Sequence, residues 1–498
     1  MVGTSSRKIA VIAALSTLIP NSALPQQGGV VTTPGTQTTV PVAAAGQTVA
    51  RGTTAAARGG LPANTAGLQI DLNVSSDLSF DDNQALSNVS AGDATISDTK
   101  LSFGLSNITP RDTLSLQAST VLRFADIPGR SVAGFEDQNA RFNYARDGVD
   151  SRFTADARYR HADREFLDPF QVEQEEQTLG QLIGGGGTVT WLSGGASYVT
   201  GINAPLGFQF SVRHDEQSYD ALAQSVDPLL FDRTTDRANA TVTARVSPVM
   251  QLRASAGITQ YDASDAVNTD RETLDYSVGA VMDINPVLLL DAQIGYTDIT
   301  TDTTSGQTTD SGVTGTARLT KSLPNGSIYG DFASSVNQNG TQTSLSFGRS
   351  MTLPNGNFSG MAGVTHTPGG SLRLTGTLSY SHDLRSSNIT VTGARSVSTN
   401  GLDQDVLNTR LSVAYSYLFN NNSSLNLSAD WGRSEGADSN SGINDTDRTT
   451  LRASYTRALT RDWNMTGGLQ IRRRADNSGD AQSNSVFLTL DRGFSFRP

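Results

Sequence analysis

Cysteine is missing from all 498 residues, which excludes a disulfide scaffold and any Cys-ligated zinc or iron–sulfur site. Histidine occurs four times, at His161, His214, His366 and His382, so little is left for imidazole catalysis. No run approaches the roughly 18 uninterrupted apolar residues that a membrane-crossing helix needs. Charged residues make up only 17% of the chain, too few for a polyelectrolyte tail protein, and the net charge of −11 argues against a general nucleic-acid binder. Lysine is nearly absent. Of 37 basic residues only Lys8, Lys100 and Lys321 are lysines, so the other 34 are arginines. Genome composition explains such a bias; so does a wall of arginines whose planar forks bridge carboxylates.

What remains is rich in Gly, Ser, Thr, Asn, Asp and Gln, and it divides the chain into three parts. Residues 1–23 read as a secretory signal: Arg7 and Lys8 precede the apolar stretch Ile9 to Ile19, Pro20 stops the helix, and cleavage is expected after Ala23. Residues 24–66 form a Thr/Pro/Ala/Gly-rich tether, and from position 26 to 66 its only charges are Arg51 and Arg58. Such a segment cannot bury enough apolar area to offset its ordering entropy. It is expected to be a disordered tether or, alternatively, a segment lodged inside a pore.

From Gly67 to residue 498 the hydrophobic period is two. Leu68, Ile70, Leu72, Val74, Leu78 and Phe80 alternate with polar residues, as do Leu114, Leu116, Ala118, Leu122 and Phe124. The pattern returns at Leu274, Tyr276, Val278, Ala280, Met282 and Ile284, and no comparable segment shows helical periodicity. The chain is therefore expected to be all-β.

Short and longer connections alternate along it. Tight turns are expected at 107–110, 146–148, 203–205, 247–248, 285–286, 323–326, 353–356, 383–386, 420–422 and 460–462, where Pro, Asn and Gly gather. Longer, polar connections are expected at 81–93, 125–136, 162–186, 215–236, 262–271, 299–310 and 434–446. Tight turns at one end and larger loops at the other mark a transmembrane antiparallel up-and-down β-barrel. The count is about 22 strands, within a range of 18–24, starting and finishing on the tight-turn side. A soluble sandwich of this size would split into domains with shifts in composition, and a solenoid would show a fixed short repeat. Neither signal is present.

The last run, Val486, Leu488, Leu490, Phe494 and Phe496, resembles the terminal strand of Gram-negative outer-membrane β-barrels, although Arg497 and Pro498 follow the final aromatic. The resemblance covers residues 67–498 and implies a place in the outer membrane of a Gram-negative bacterium. A narrower likeness rests on Phe80-Asp81-Asp82-Asn83, which is similar to the first-strand turn of porin-like barrels associated with exopolysaccharide systems. It implies a polysaccharide-export setting.

If the apolar parity faces lipid, the other parity lines the lumen. That places Arg123, Arg141, Arg152, Arg158, Arg213, Arg245, Arg253, Arg318, Arg373, Arg410, Arg452 and Arg472 inside, with Asp71, Asp156, Asp275, Asp291, Asp331, Asp430 and Asp491. An Arg on the lipid side at mid-depth would cost about 2–4 kcal/mol. Such a wall either lowers the barrier for anionic solutes or forms an Arg–Asp lattice that holds the strands in register. Barrels of 16 to 18 strands already leave an aqueous channel, and the familiar 22-stranded ones carry a plug. Within this chain the loop of residues 162–187 is the candidate to restrict the pore, with Phe166, Phe170 and Leu182 as apolar anchors and Gly185 in its glycine hinge. The alternative is a surface loop. Acidic side chains in the longer connections could bridge divalent cations to lipid phosphates, or simply be solvated.

No catalytic constellation is legible. His214-Asp215 and His382-Asp383 are neighbours on strands and point to opposite faces, and no histidine has two partners by spacing. No Gly-x-Ser-x-Gly elbow fits a strand-to-helix turn. Glycine doublets such as Gly194-Gly195 fall in strands, where close backbone approach explains them better than phosphate binding. The expectation is a non-enzymatic, porin-like channel for hydrophilic, including anionic, solutes, with no cofactor and no metal. Its expected partners are outer-membrane lipid and lipopolysaccharide, the barrel assembly machinery and, in the alternative, periplasmic polysaccharide-export proteins; nucleic acid is not among them. The alternatives are an exopolysaccharide secretion barrel and a non-conducting structural or adhesive surface barrel.

Overall fold

The computed structural model describes residues 67–167, 186–220, 230–400, 403–437, 445–477 and 479–497. The expected signal and tether lie outside them, as do Phe170, Leu182 and Gly185. The described chain is a single antiparallel sheet of 22 strands. The first group is β1 (Gly67–Asp81), β2 (Ala94–Ile108), β3 (Asp112–Ile127), β4 (Arg130–Asp147), β5 (Ser151–Asp163), β6 (Thr188–Thr200), β7 (Leu206–Asp220) and β8 (Arg233–Ser247). Then come β9 (Met250–Ala263), β10 (Thr269–Asn285), β11 (Leu288–Thr303), β12 (Gly306–Leu323), β13 (Gly326–Asn337), β14 (Gly340–Leu353), β15 (Gly356–His366) and β16 (Leu372–Asp383). The circuit ends with β17 (Ser387–Thr399), β18 (Asp405–Asn420), β19 (Ser423–Gly436), β20 (Thr446–Ala458), β21 (Trp463–Asp476) and β22 (Gly479–Phe496). β22 pairs with β1 from Ile70↔Phe496 to Asp81↔Ser485, so the sheet closes and has no free edge.

The outer face carries the apolar parity. Leu72, Val74, Phe124, Tyr276, Val278, Ile294, Phe347, Leu374 and Val486 are all exposed side chains, which in water would make an aggregating surface and in a bilayer are solvated by lipid tails. Near the turn end, Phe419 stands between Tyr417 at 5.0 Å and Tyr455 at 6.1 Å. Arg492 lies over Trp463 at 5.1 Å and over Phe494 at 4.5 Å. Aromatic rings and a snorkelling arginine of this kind suit the membrane–water interface.

All ten expected tight turns join strands at one end of the barrel, beside both chain ends of the sheet. The other end departs from expectation. Residues 125–136 are not a loop: Pro128-Gly129 alone separates β3 from β4, with Gly129 at φ +86°. Residues 299–310 continue the ladder to Thr303↔Gly306 around a two-residue turn. The connections expected at 215–236 and 262–271 shrink to 221–232 and 264–268. The reason is physical. Above the apolar band both faces of a strand meet water or head groups, so period-two hydrophobicity fades while backbone pairing goes on.

One irregularity matters for the faces. Opposite Ser119 and Val121, β4 carries an extra residue around Asp137, whose φ is +46°. This bulge flips the parity of β4, so that Phe135 and Phe142 both lie opposite outward residues, Leu122 and Leu116.

Candidate functional site: the inner wall and its rim

Strand register places all twelve arginines named from the sequence on the face opposite the exposed apolar side chains. Their partners differ by sector. In the sector of β20–β22 and β1–β3, Arg123 grips Asp98 with Nε at 2.8 Å and Nη2 at 2.6 Å. Arg472 donates to Asp81 at 2.9 Å, and that carboxylate also accepts from Ser483 Oγ at 2.8 Å. Arg452 lies over the Phe487 ring at 4.2 Å.

Across β9–β13 the charges alternate. Arg253 pairs with Asp291, Asp291 stands opposite Arg318, and Arg318 pairs with Asp331 at 2.6 Å while covering the Tyr329 ring at 4.6 Å. Asp275 accepts from Thr297 Oγ1 at 2.5 Å. Farther round, Arg373 donates to the Ala437 carbonyl at 2.6 Å, and Arg410 stands opposite Gly432. Near the turn end, Arg152 meets Asp147 at 3.1 Å, and Arg245 braces the 201–205 turn through the carbonyls of Ile202 and Ala204.

The sector of β4–β8 is different. Arg141 stands directly opposite Arg158, and Arg213 directly opposite Arg237. Asp215 serves both arginines of the second pair, at 3.0 Å to Arg213 and 2.6 Å to Arg237, and Asp156 lies 3.3 Å from Arg213. Further inner arginines were not named from the sequence, among them Arg160, which reaches Asp137 at 2.8 Å, Arg233, Arg237, Arg271, Arg448 and Arg474. Strand parity would have found them, since each shares the face of an inner residue on its own strand.

At the loop end the rim folds inward. Phe166, the described member of the expected restricting loop, sits in a single 3-10 turn, Arg164–Phe166. Its ring lies 4.1 Å from the Arg123 guanidinium and packs on the inner apolar cluster of Ala94, Ala125 and Ile127. The base of that loop closes through Arg164 N–H donating to Gly187 O at 3.0 Å. Gln84, from the 82–93 loop, donates to Glu165 O at 3.2 Å. Across the rim, Asp403 in the β17–β18 turn accepts from Arg271 of β10 at 2.5 Å and from Gln338 of the β13–β14 turn at 2.7 Å. These contacts join segments far apart in sequence and narrow the mouth.

On the outer face, His214 has two carboxylate neighbours that the sequence did not reveal: Asp236 at 2.7 Å from Nδ1 and Glu216 at 3.7 Å from Nε2. They lie on adjacent positions of β7 and β8, and no hydroxyl nucleophile is hydrogen-bonded to the ring among the described residues. Among those residues no group of three or more His, Asp or Glu stands in metal-binding geometry.

No protein-family model matches the sequence. No curated protein matches it either. Solved structures do match the fold. The FrpB iron transporter from Neisseria meningitidis superposes with a TM-score of 0.56 at 9% identity, over 86% of this chain and 83% of that one. The siderophore receptor PirA from Acinetobacter baumannii gives 0.52 at 9% identity, over 86% and 81%. The ferric enterobactin receptor PfeA from Pseudomonas aeruginosa gives 0.51 at 8% identity, over 86% and 82%. The chain therefore has the fold of large outer-membrane β-barrels.

Proposed function

We propose that this barrel gives hydrophilic solutes passage across the outer membrane. The observation that carries the reading is the accessibility of the charged inner wall: the side chains of Arg213, Arg237 and Arg318 are 43, 50 and 53% exposed. A wall kept only to lock strands together would bury its forks in carboxylates; this one presents several of them to the lumen. Charges on the inside and apolar side chains outside make a polar route through the bilayer. At 8–10% identity the likeness to iron and siderophore proteins carries the fold and not their cargo. Nothing in the wall or in the comparisons favours a polysaccharide over a small solute.

The inward-folded rim supports a second reading, a conduit held narrow until the Arg271–Asp403 and Phe166 contacts release. Liposome swelling tests the first. Vesicles containing the refolded barrel should swell in iso-osmotic arabinose and more slowly in larger sugars. No swelling by a correctly folded barrel, followed by swelling once Asp403 is replaced by Ala, would move the assignment to the second.

A further inference from the structure

We propose that the outer face of β10–β14 holds one anionic glycerophospholipid of the periplasmic leaflet, with its phosphate between Lys321 and Arg349 and an acyl chain in a hollow above them. The site requires only a place in the outer membrane, not the passage of solutes. Short turns face the periplasm in barrels of this kind. Register sets Lys321, Ile328 and Arg349 side by side on β12, β13 and β14, in one row near the turn end. The row points outward, because Ile328 and also Phe347, two residues from Arg349, are exposed apolar side chains. Lys321 and Arg349 are exposed as well.

No carboxylate answers either cation. Among the described residues neither side chain makes a hydrogen bond or an ion pair. The outward positions around them hold Leu288, Leu290, Leu319, Leu323, Met351 and Phe358, and no acid. Other outward cations at this end are placed differently. Arg146 lies 3.9 Å from Asp112, Arg492 is covered by Trp463 and Phe494, and Arg457 stands between Ser423 and Met465 with no second cation in its row. A charge facing lipid is tolerated near the interface, where a long side chain reaches the head groups. Lys321 and Arg349 are two strand spacings apart, about 9–10 Å at the backbone, so an ammonium and a guanidinium can close on one phosphodiester. A zwitterionic head group brings its own ammonium and answers only part of this charge.

The hollow lies farther from the turns on the same face. Ala280, Ala292, Gly315 and Ala317 floor it, Ile294 and Phe332 wall it, and its volume is about 960 Å³. Small side chains meet across three strands there, Ala280↔Ala292 and Ala292↔Ala317, while the next outward row toward the turns is Met282, Leu290 and Leu319. Ala317 and Lys321 are four residues apart on β12, about 13 Å along the strand, with Leu319 between them on the same face. A lipid whose phosphate is held by the two cations therefore lays a chain over Leu319 and into the hollow. At this depth no water is at hand, and an unfilled hollow forfeits dispersion contacts along its lining, so hydrocarbon fills it. The cation pair at its foot selects which lipid supplies that hydrocarbon.

Native mass spectrometry of the refolded full chain tests this, after release into mild detergent from vesicles of equal phosphatidylglycerol and phosphatidylcholine. Wild type should keep one phosphatidylglycerol per barrel in preference to phosphatidylcholine. K321Q/R349Q should lower that retention on the order of tenfold, whereas Arg457→Gln should leave it unchanged. Ala292→Leu, which fills the hollow and leaves both cations in place, should lower it too. Heat-modifiable migration on gels verifies that each variant is folded before it is compared. Equal retention of the two lipids by wild type, or unchanged retention in K321Q/R349Q, overturns the site. An equal loss in Arg457→Gln overturns it as well, since the lipid would then be drawn by the charge of the whole turn end. Unchanged retention in Ala292→Leu overturns the hollow as the seat of the chain.

Discussion

Arg472 and Asp81 show what an ion pair does inside this wall. Their side chains are 9 and 10% exposed, and the pair is completed by Ser483, so removing one partner strands a buried charge. Arg472→Ala should destabilise the barrel by about 3–5 kcal/mol. Arg318→Ala, whose partner Asp331 can be rehydrated from the lumen, should cost no more than about 1 kcal/mol. Urea unfolding of barrels refolded into vesicles measures both, and equal losses would show that the wall is uniformly dry. The two faces make a second contrast. Val278→Arg puts a charge into the lipid at a cost of about 2–4 kcal/mol and should impair assembly, whereas Ser115→Arg on the inner face should fold normally. The same unfolding assay reads this pair, and equal tolerance would reverse the assignment of faces.

Strands and turns differ in how plainly the sequence displays them. The ten tight turns are legible because Pro, Asn and Gly are needed where a hairpin reverses in two to five residues, as at Leu323-Pro324-Asn325-Gly326. The hairpin tips at Pro128-Gly129 and Thr304-Ser305 carry turn residues too, but they lie in polar surroundings that read as loop. Above the apolar band nothing forces alternation, so the strand continues without its signature. The bulge at Asp137 is hidden for the opposite reason: a single inserted residue breaks the period locally, and only the paired strand shows where. Deleting Asp137 should put Phe135 on the lumen side and Glu136 on the lipid side, and heat-modifiable folding should be lost. Normal folding would mean that the bulge moves and the register is soft. Contacts across the rim, such as Arg271–Asp403, could not be read in advance, because they depend on which strands the closed circle brings together. Asp403→Ala should free the β17–β18 turn, seen as faster amide exchange at 403–405 with no change at β10–β11 midstrand. Unchanged exchange would make the bridge incidental.

Taken as one object, the barrel is divided electrostatically: buried Arg–Asp pairs beside the β22–β1 seam, alternating charges on β9–β13, and arginines facing arginines on β4–β8. Strand register puts the twelve arginines named from parity on one face, together with others that were not named, such as Arg160, Arg237 and Arg271. Parity could not rank them, since partner choice follows from the register between strands. An exposed arginine bank should select ions by charge, weakly at high salt and strongly at low salt, because lumen charges are screened over about 10 Å at 0.1 M. The most direct test of the passage claim is single-channel recording of the refolded barrel in a planar bilayer under a KCl gradient. The expected result is steady conductance steps with a reversal potential on the anion side, moving toward zero in R141Q/R158Q. Silence from a folded barrel that stays silent in Asp403→Ala, or a cation-selective reversal potential, would contradict it.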